Sequence, residues 1–147
     1  MADVLVSVTI QRPIDDVFRV LTTPALTPRL SSNAVEERLT TPGPVAVGSR
    51  RRATVRRFGG GTMENEIEVT AVDPGRRIAV RSVESPVPFT SAWTFTPVDA
   101  ATRVDWGWTF ELSGWLRPVD PIFRLLFARS FREDLGRLKM LMESGAL

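Results

Sequence analysis

Hydrophobic positions along the chain change period several times, and each change marks an element. In "VLVSVTIQ", residues 4–11, Val4, Val6, Val8 and Ile10 fall on alternate positions. Side chains of a strand point to opposite faces in turn, so this stretch predicts a half-buried strand. In "RPIDDVFRVLTT", residues 12–23, the spacing becomes helical: Ile14, Val17, Phe18 and Leu21 share a face. Pro13 suits a first helical turn, and Asp15 and Asp16 favour the positive end of the helix. Pro24 and Pro28 break that helix and leave a second short helix or a turn. From Asn33 to about Ser113 the pattern is strand-like again. It is cut by the turn signals "TPGPVAVG", "GGG", "DPG", "SPVP" and "DAA". Strands joined by such short turns predict an antiparallel meander. From about Pro118 to Ser144, Phe123, Phe127, Phe131, Leu135, Leu138 and Met142 recur at steps of three or four, which predicts a long amphipathic C-terminal helix.

The turns also predict which strand residues meet. A hairpin closing at Gly59-Gly60-Gly61 faces Arg56 with Glu64, Thr54 with Glu66 and Arg52 with Glu68. Through "DPGR", Val72 faces Arg77, Glu68 faces Arg81, Val69 faces Val80, Ile67 faces Ser82 and Asn65 faces Glu84. Through "SPVP", Ser82 faces Ser91 and Val80 faces Trp93; with "AA" as the last turn, Phe95 faces Trp106 and Trp93 faces Trp108. On this pairing the arginine-rich stretch "GSRRRATVRR" is a solvated outer face whose glutamate partners come from the next strands. A phosphate-binding stripe would leave its arginines unpaired and interleave aromatic residues, so no nucleic-acid partner is expected.

The opposite face gathers Phe89, Trp93, Phe95, Trp106, Trp108 and Phe110, and the long helix adds Phe123, Phe127 and Phe131. Asn65, Ser82, Glu84 and Ser91 share it. Glu37 and Arg51 join them if "NAVEERLT" points Val35 and Leu39 inward. Two readings remain open here, a solid aromatic core or a cavity lined by stiff rings. The polar residues favour the cavity, because a dry core penalises such groups and a ligand site uses a few of them to fix orientation.

Composition narrows the chemistry. A chain of 147 residues with 43% hydrophobic residues suits one domain, 1–147. The pI of about 10.3 beside a net charge of only +2 follows from the absence of His, Cys and Tyr, since little titrates between the carboxylates and Lys139. That absence excludes thiolate or imidazole metal ligands and Ser-His or Cys-His nucleophiles. "FGGGTM" lacks the GK[ST] of a phosphate loop and reads as a hairpin turn. No metal and no cofactor are expected. No apolar run reaches the length of a membrane span, so no stable membrane insertion is expected. The Asp3-containing start and the lack of cysteine suggest the cytoplasm. Catalysis, if present, falls to a buried carboxylate, and Glu84 and Glu37 are the candidates.

The order of strand, Pro-initiated helix "RPIDDVFRVLT", meander and long helix resembles the helix-grip arrangement. The segments "VGSRRR", "VTAVDPGRRIAVRS" and "WTFTPVDAATRVDW" resemble those of the SRPBCC superfamily and its polyketide cyclase/dehydrase branch, which is similar to START domains. The resemblance implies an α+β fold in which a curved seven-strand antiparallel sheet wraps the C-terminal helix, with two short helices after strand 1. It also implies an internal cavity that binds or carries a hydrophobic, aromatic or polyketide/lipid-like small molecule. The residues lining that cavity would be Arg51, Asn65, Ser82, Glu84, Phe89, Ser91, Trp93, Phe95, Trp106, Trp108, Phe110, Phe123, Phe127 and Phe131. A polyketide cyclase or dehydratase using a buried carboxylate is the alternative.

Overall fold

The computed structural model describes residues 2–23, 26–30, 34–56, 60–85, 88–111, 118 and 120–147. The strands are β1 (Ala2–Ile10), β2 (Ala34–Leu39), β3 (Arg50–Arg56), β4 (Thr62–Asp73), β5 (Arg77–Glu84), β6 (Phe89–Val98) and β7 (Ala101–Phe110). Helix α1 (Ile14–Leu21) follows β1, α2 (Thr27–Leu30) is a single turn, and α3 (Asp120–Glu143) ends the chain. The strands form one curved seven-stranded antiparallel sheet of order β1-β7-β6-β5-β4-β3-β2, with α3 lying along β1. This is the helix-grip architecture. Pro24 and the tip of the first hairpin, residues 57–59, lie outside the described residues.

The core sits between the inner face of the sheet and α3. Val4, Val6 and Ile10 of β1, Val104 of β7, Val17 and Val20 of α1, and Leu135, Leu138 and Met142 of α3 are buried there. Two connections fasten the far end of α3. Arg12 Nη1 donates to the Met142 carbonyl at 2.8 Å, and Glu143 accepts from the Gln11 backbone N–H at 2.9 Å and from Lys139 Nζ at 2.7 Å. Arg12 thus satisfies one carbonyl that the end of a helix leaves without an internal partner.

Apart from Val35 and Glu84, strand faces agree with the sequence pattern, but three registers differ from it by two residues. Across β3 and β4, Arg52 faces Glu66, Thr54 faces Glu64 and Arg56 faces Thr62. Across β5 and β6, Val80 faces Ser91 and Ile78 faces Trp93. Across β6 and β7, Trp93 faces Trp106, Phe95 faces Val104 and Ser91 faces Trp108. A shift of two leaves every side chain on its face, so the inner and outer sets survive while the partners change. The reason is clearest at the last turn. It centres on Asp99-Ala100, with Asp99 at φ 55°, instead of on Ala100-Ala101. Asp tolerates the left-handed region better than Ala does.

Between β4 and β5 the expected pairs Glu68–Arg81, Val69–Val80 and Ile67–Ser82 are present. Irregularities on either side of them end the match. Val72 faces Ile78, and Glu84 faces Glu66 instead of Asn65. A further irregularity between Ala34 and Glu36 leaves Val35 as the extra residue of β2 and 43% exposed, so it does not point inward as expected.

Candidate functional site

The inner face divides into an aromatic wall and a polar corner. The wall is built by β6 and β7 with α3, and its rings touch one another in sequence. Trp93 stacks on Trp106 with centroids 4.1 Å apart, and Trp106 meets Phe131 at 4.7 Å. Trp108 stacks with Phe131 at 4.7 Å and with Phe110 at 5.4 Å, and lies 5.0 Å from Phe89. Phe123 and Phe127 close on Phe110 at 5.1 and 4.8 Å. Phe95 faces the same side and meets Phe18 of α1 at 6.1 Å. Much of this wall is therefore ring packed on ring, the arrangement of a core, with Trp93, Trp108, Phe123 and Phe127 only partly buried.

Two serines serve the wall. Trp106 Nε1 donates to Ser91 Oγ at 3.0 Å, and both side chains are buried. Ser82 does not face Ser91. Its Oγ accepts from the Phe89 N–H at 2.9 Å and lies 3.3 Å from the Phe89 carbonyl, where it takes the place of a ladder bond next to the proline-containing loop.

Glu84 leaves the group. One extra residue, Val83, lies on β5 at the irregularity between Glu66 and Ile67, so the next side chain turns to the outer face. The Glu84 side chain is 77% exposed and sits 3.9 Å from Arg52. The expected inner position of Glu84 and its pairing with Asn65 are both corrected.

The polar corner lies on β2, β3 and β4, beside α2. Glu37, Ala53 and Asn65 form one inward row, and Leu39, Arg51 and Ile67 form the next. Arg51 Nη1 and Glu37 Oε1 are 2.7 Å apart, with side chains only 13% and 8% exposed. Arg51 Nε and Asn65 Oδ1 are buried and have no hydrogen-bond partner among the described residues, and the same holds for Trp108 Nε1. Leaving such a group unpaired costs about 1–3 kcal/mol. All three atoms belong to inward-facing residues.

On the outer face the cations are largely paired. Glu68 lies between Arg50 at 3.3 Å and Arg81 at 3.0 Å, where Arg52 had been expected in place of Arg50. Arg52 reaches Glu64 at 3.1 Å. Hydrogen bonding from Arg81 holds the Glu68 carboxyl below its ordinary pKa, and bonding to Glu64 raises that of Arg52. A depression of about 600 Å³ crosses this face, with Leu5, Arg77, Ala79, Ala92 and Gly107 in its lining. It lies on the other side of the sheet from the polar corner.

Among the described residues, Ser49, Thr102 and Asp134 are buried polar residues that the pattern did not single out. Asp134 is 7% exposed on α3. Its spacing from Phe131 and Leu138, three and four residues, was the available signal.

Residues 1–143 match the family model for polyketide cyclase / dehydrase and lipid transport, and the chain belongs to that family. DR_A0006 from Deinococcus radiodurans is similar at 26% identity, with 97% of this chain and 98% of that chain covered and a TM-score of 0.72. A START superfamily protein from Mycobacterium smegmatis shares the fold at 12% identity over 98% and 99% of the two chains, TM-score 0.81. The di-domain ARO/CYC protein BexL, from the BE-7585A biosynthetic pathway, matches at 21% identity and TM-score 0.78. There 97% of this chain covers 47% of the other, so this chain spans about half of BexL. No curated protein matches the sequence.

Proposed function

We propose that this protein binds a hydrophobic, ring-bearing small molecule of the polyketide or lipid class against the inner face of its sheet. The observation that carries this reading is that Asn65 Oδ1, Arg51 Nε and Trp108 Nε1, on a largely apolar face, are buried with no hydrogen-bond partner among the described residues. A guest could pair with these atoms, and the partly buried rings Trp93, Trp108, Phe123 and Phe127 supply apolar contact. Arg51 and Asn65 orient the ligand, and the family's association with polyketide chemistry and lipid transport supports the ligand class.

Catalysis is the second reading, and the likeness to a di-domain ARO/CYC protein favours keeping it. Glu84, exposed on the outer face, has no part in it. Glu37 is the remaining carboxylate of the two candidates. Its 2.7 Å contact with Arg51 suits an ion pair that positions a ligand better than a proton donor.

Native mass spectrometry of protein purified without added ligand tests the binding reading. The expected spectrum contains a retained organic molecule. Ligand-free mass alone, with an unchanged melting temperature across a panel of polycyclic phenols and fatty acids, would overturn it.

A further inference from the structure

The polar corner carries a restriction on the ligand's head group, and this inference rests on the binding reading above. Arg51 faces Ile67 and Ala53 faces Asn65, so Arg51 and Asn65 are diagonal neighbours on adjacent strands. Such neighbours stand about 7–8 Å apart at the backbone, near enough for one small group to touch both side chains. One of them can donate a proton and the other can accept one: Arg51 Nε–H is a donor and Asn65 Oδ1 an acceptor, and neither has a hydrogen-bond partner among the described residues. Asn65 is 6% exposed, so neither orphaned atom has ready access to bulk water. Trp108 Nε1 is on β7, three strands from Asn65 on β4, about 14 Å along the sheet. It belongs to a different part of any ligand.

The charge of the corner is already balanced. Glu37, 8% exposed, lies 2.7 Å from Arg51 and neutralises it. A carboxylate or phosphate entering here would bring a second anion beside Glu37 and would carry no proton for Asn65. A ketone would accept from Arg51 and leave Asn65 Oδ1 unpaired. A hydroxyl does both: its oxygen accepts from Arg51 Nε–H and its proton goes to Asn65 Oδ1. From these constraints we infer that the corner between Arg51 and Asn65 selects a neutral hydroxyl head, alcoholic, phenolic or enolic, on an otherwise apolar ligand. Acids of the same shape are rejected.

Three probes of one shape test this: 2-naphthol, 2-methylnaphthalene and 2-naphthoate, titrated by calorimetry at neutral pH. The expected result is naphthol binding about tenfold or more tighter than either of the others, the effect of one buried polar group left unpaired. In Asn65→Leu the advantage of naphthol over methylnaphthalene should fall to about threefold or less, with methylnaphthalene affinity nearly unchanged. The wild-type series decides the matter alone if that variant does not fold. Naphthoate binding tightest would overturn the inference, since the corner would then be an anion site. Equal binding of naphthol and methylnaphthalene would overturn it while leaving the binding reading intact. Binding of none of the three would remove both.

Discussion

Trp106 and Ser91 form a closed polar pair inside the aromatic wall, while Trp108, two residues along the same strand, has an indole N–H with no hydrogen-bond partner among the described residues. The contrast separates packing from recognition. Ser91→Ala should destabilise the protein by about 1–3 kcal/mol, because it leaves the Trp106 N–H buried and unpaired. Adding Trp106→Phe to that variant should cost less than Trp106→Phe costs alone, since the partner is already gone. Urea denaturation of the four species in this cycle measures the coupling, and strictly additive losses would mean that the pair contributes nothing. Alternation of residues put both side chains on the inner face correctly. It could not say that Ser91 would be used by Trp106, because that contact depends on ring tilt. It also misplaced Glu84, because one extra residue on β5 reverses the face and nothing in "VRSVESP" marks an irregularity. Glu37 and Arg51 were legible as inward-facing, although Val35 was not.

Elements were legible where one period ran long. Helix α3 was expected over 118–144 and occupies Asp120–Glu143, because six apolar residues at helical spacing leave few alternatives. Registers were less legible. A turn can centre one residue earlier at little cost, and the shift of two that results changes every partner without changing any face. Asp99 settles this at one turn through its positive φ. At the end of α3, Glu143 joins Lys139 and the Gln11 backbone, and the bond from Lys139 is the main cause holding its carboxyl below the ordinary 4.5. A depressed carboxyl stabilises the fold above the unfolded-state pKa and stops doing so as pH falls through its lower folded value. The melting temperature of the wild type should therefore exceed that of Glu143→Gln at neutral pH, and the two should converge as pH falls from about 5 toward 3. Thermal unfolding by circular dichroism across that range checks it, and a constant gap would contradict it.

At the scale of the whole molecule, the sheet divides labour between its faces. The outer face carries paired arginines and glutamates, and the inner face carries rings, a charge-balanced corner and the orphaned atoms. The absence of His, Cys and Tyr narrowed the chemistry from the sequence onward. The contest between solid core and cavity was not decidable from composition, because the same aromatic residues serve both. In the fold they pack tightly around Trp106 and Phe131, and Trp93, Trp108, Phe123 and Phe127 are only partly buried. The central claim is that a ligand binds on the inner face. Nuclear magnetic resonance of labelled protein titrated with 2-naphthol tests it most directly. The account predicts that the indole N–H of Trp108 and the side-chain amide of Asn65 move on saturation, while the Trp106 indole, already bonded to Ser91, moves least. A spectrum in which Trp108 and Asn65 stay still, whether nothing moves or only Leu5 and Arg77 of the outer depression do, would contradict it.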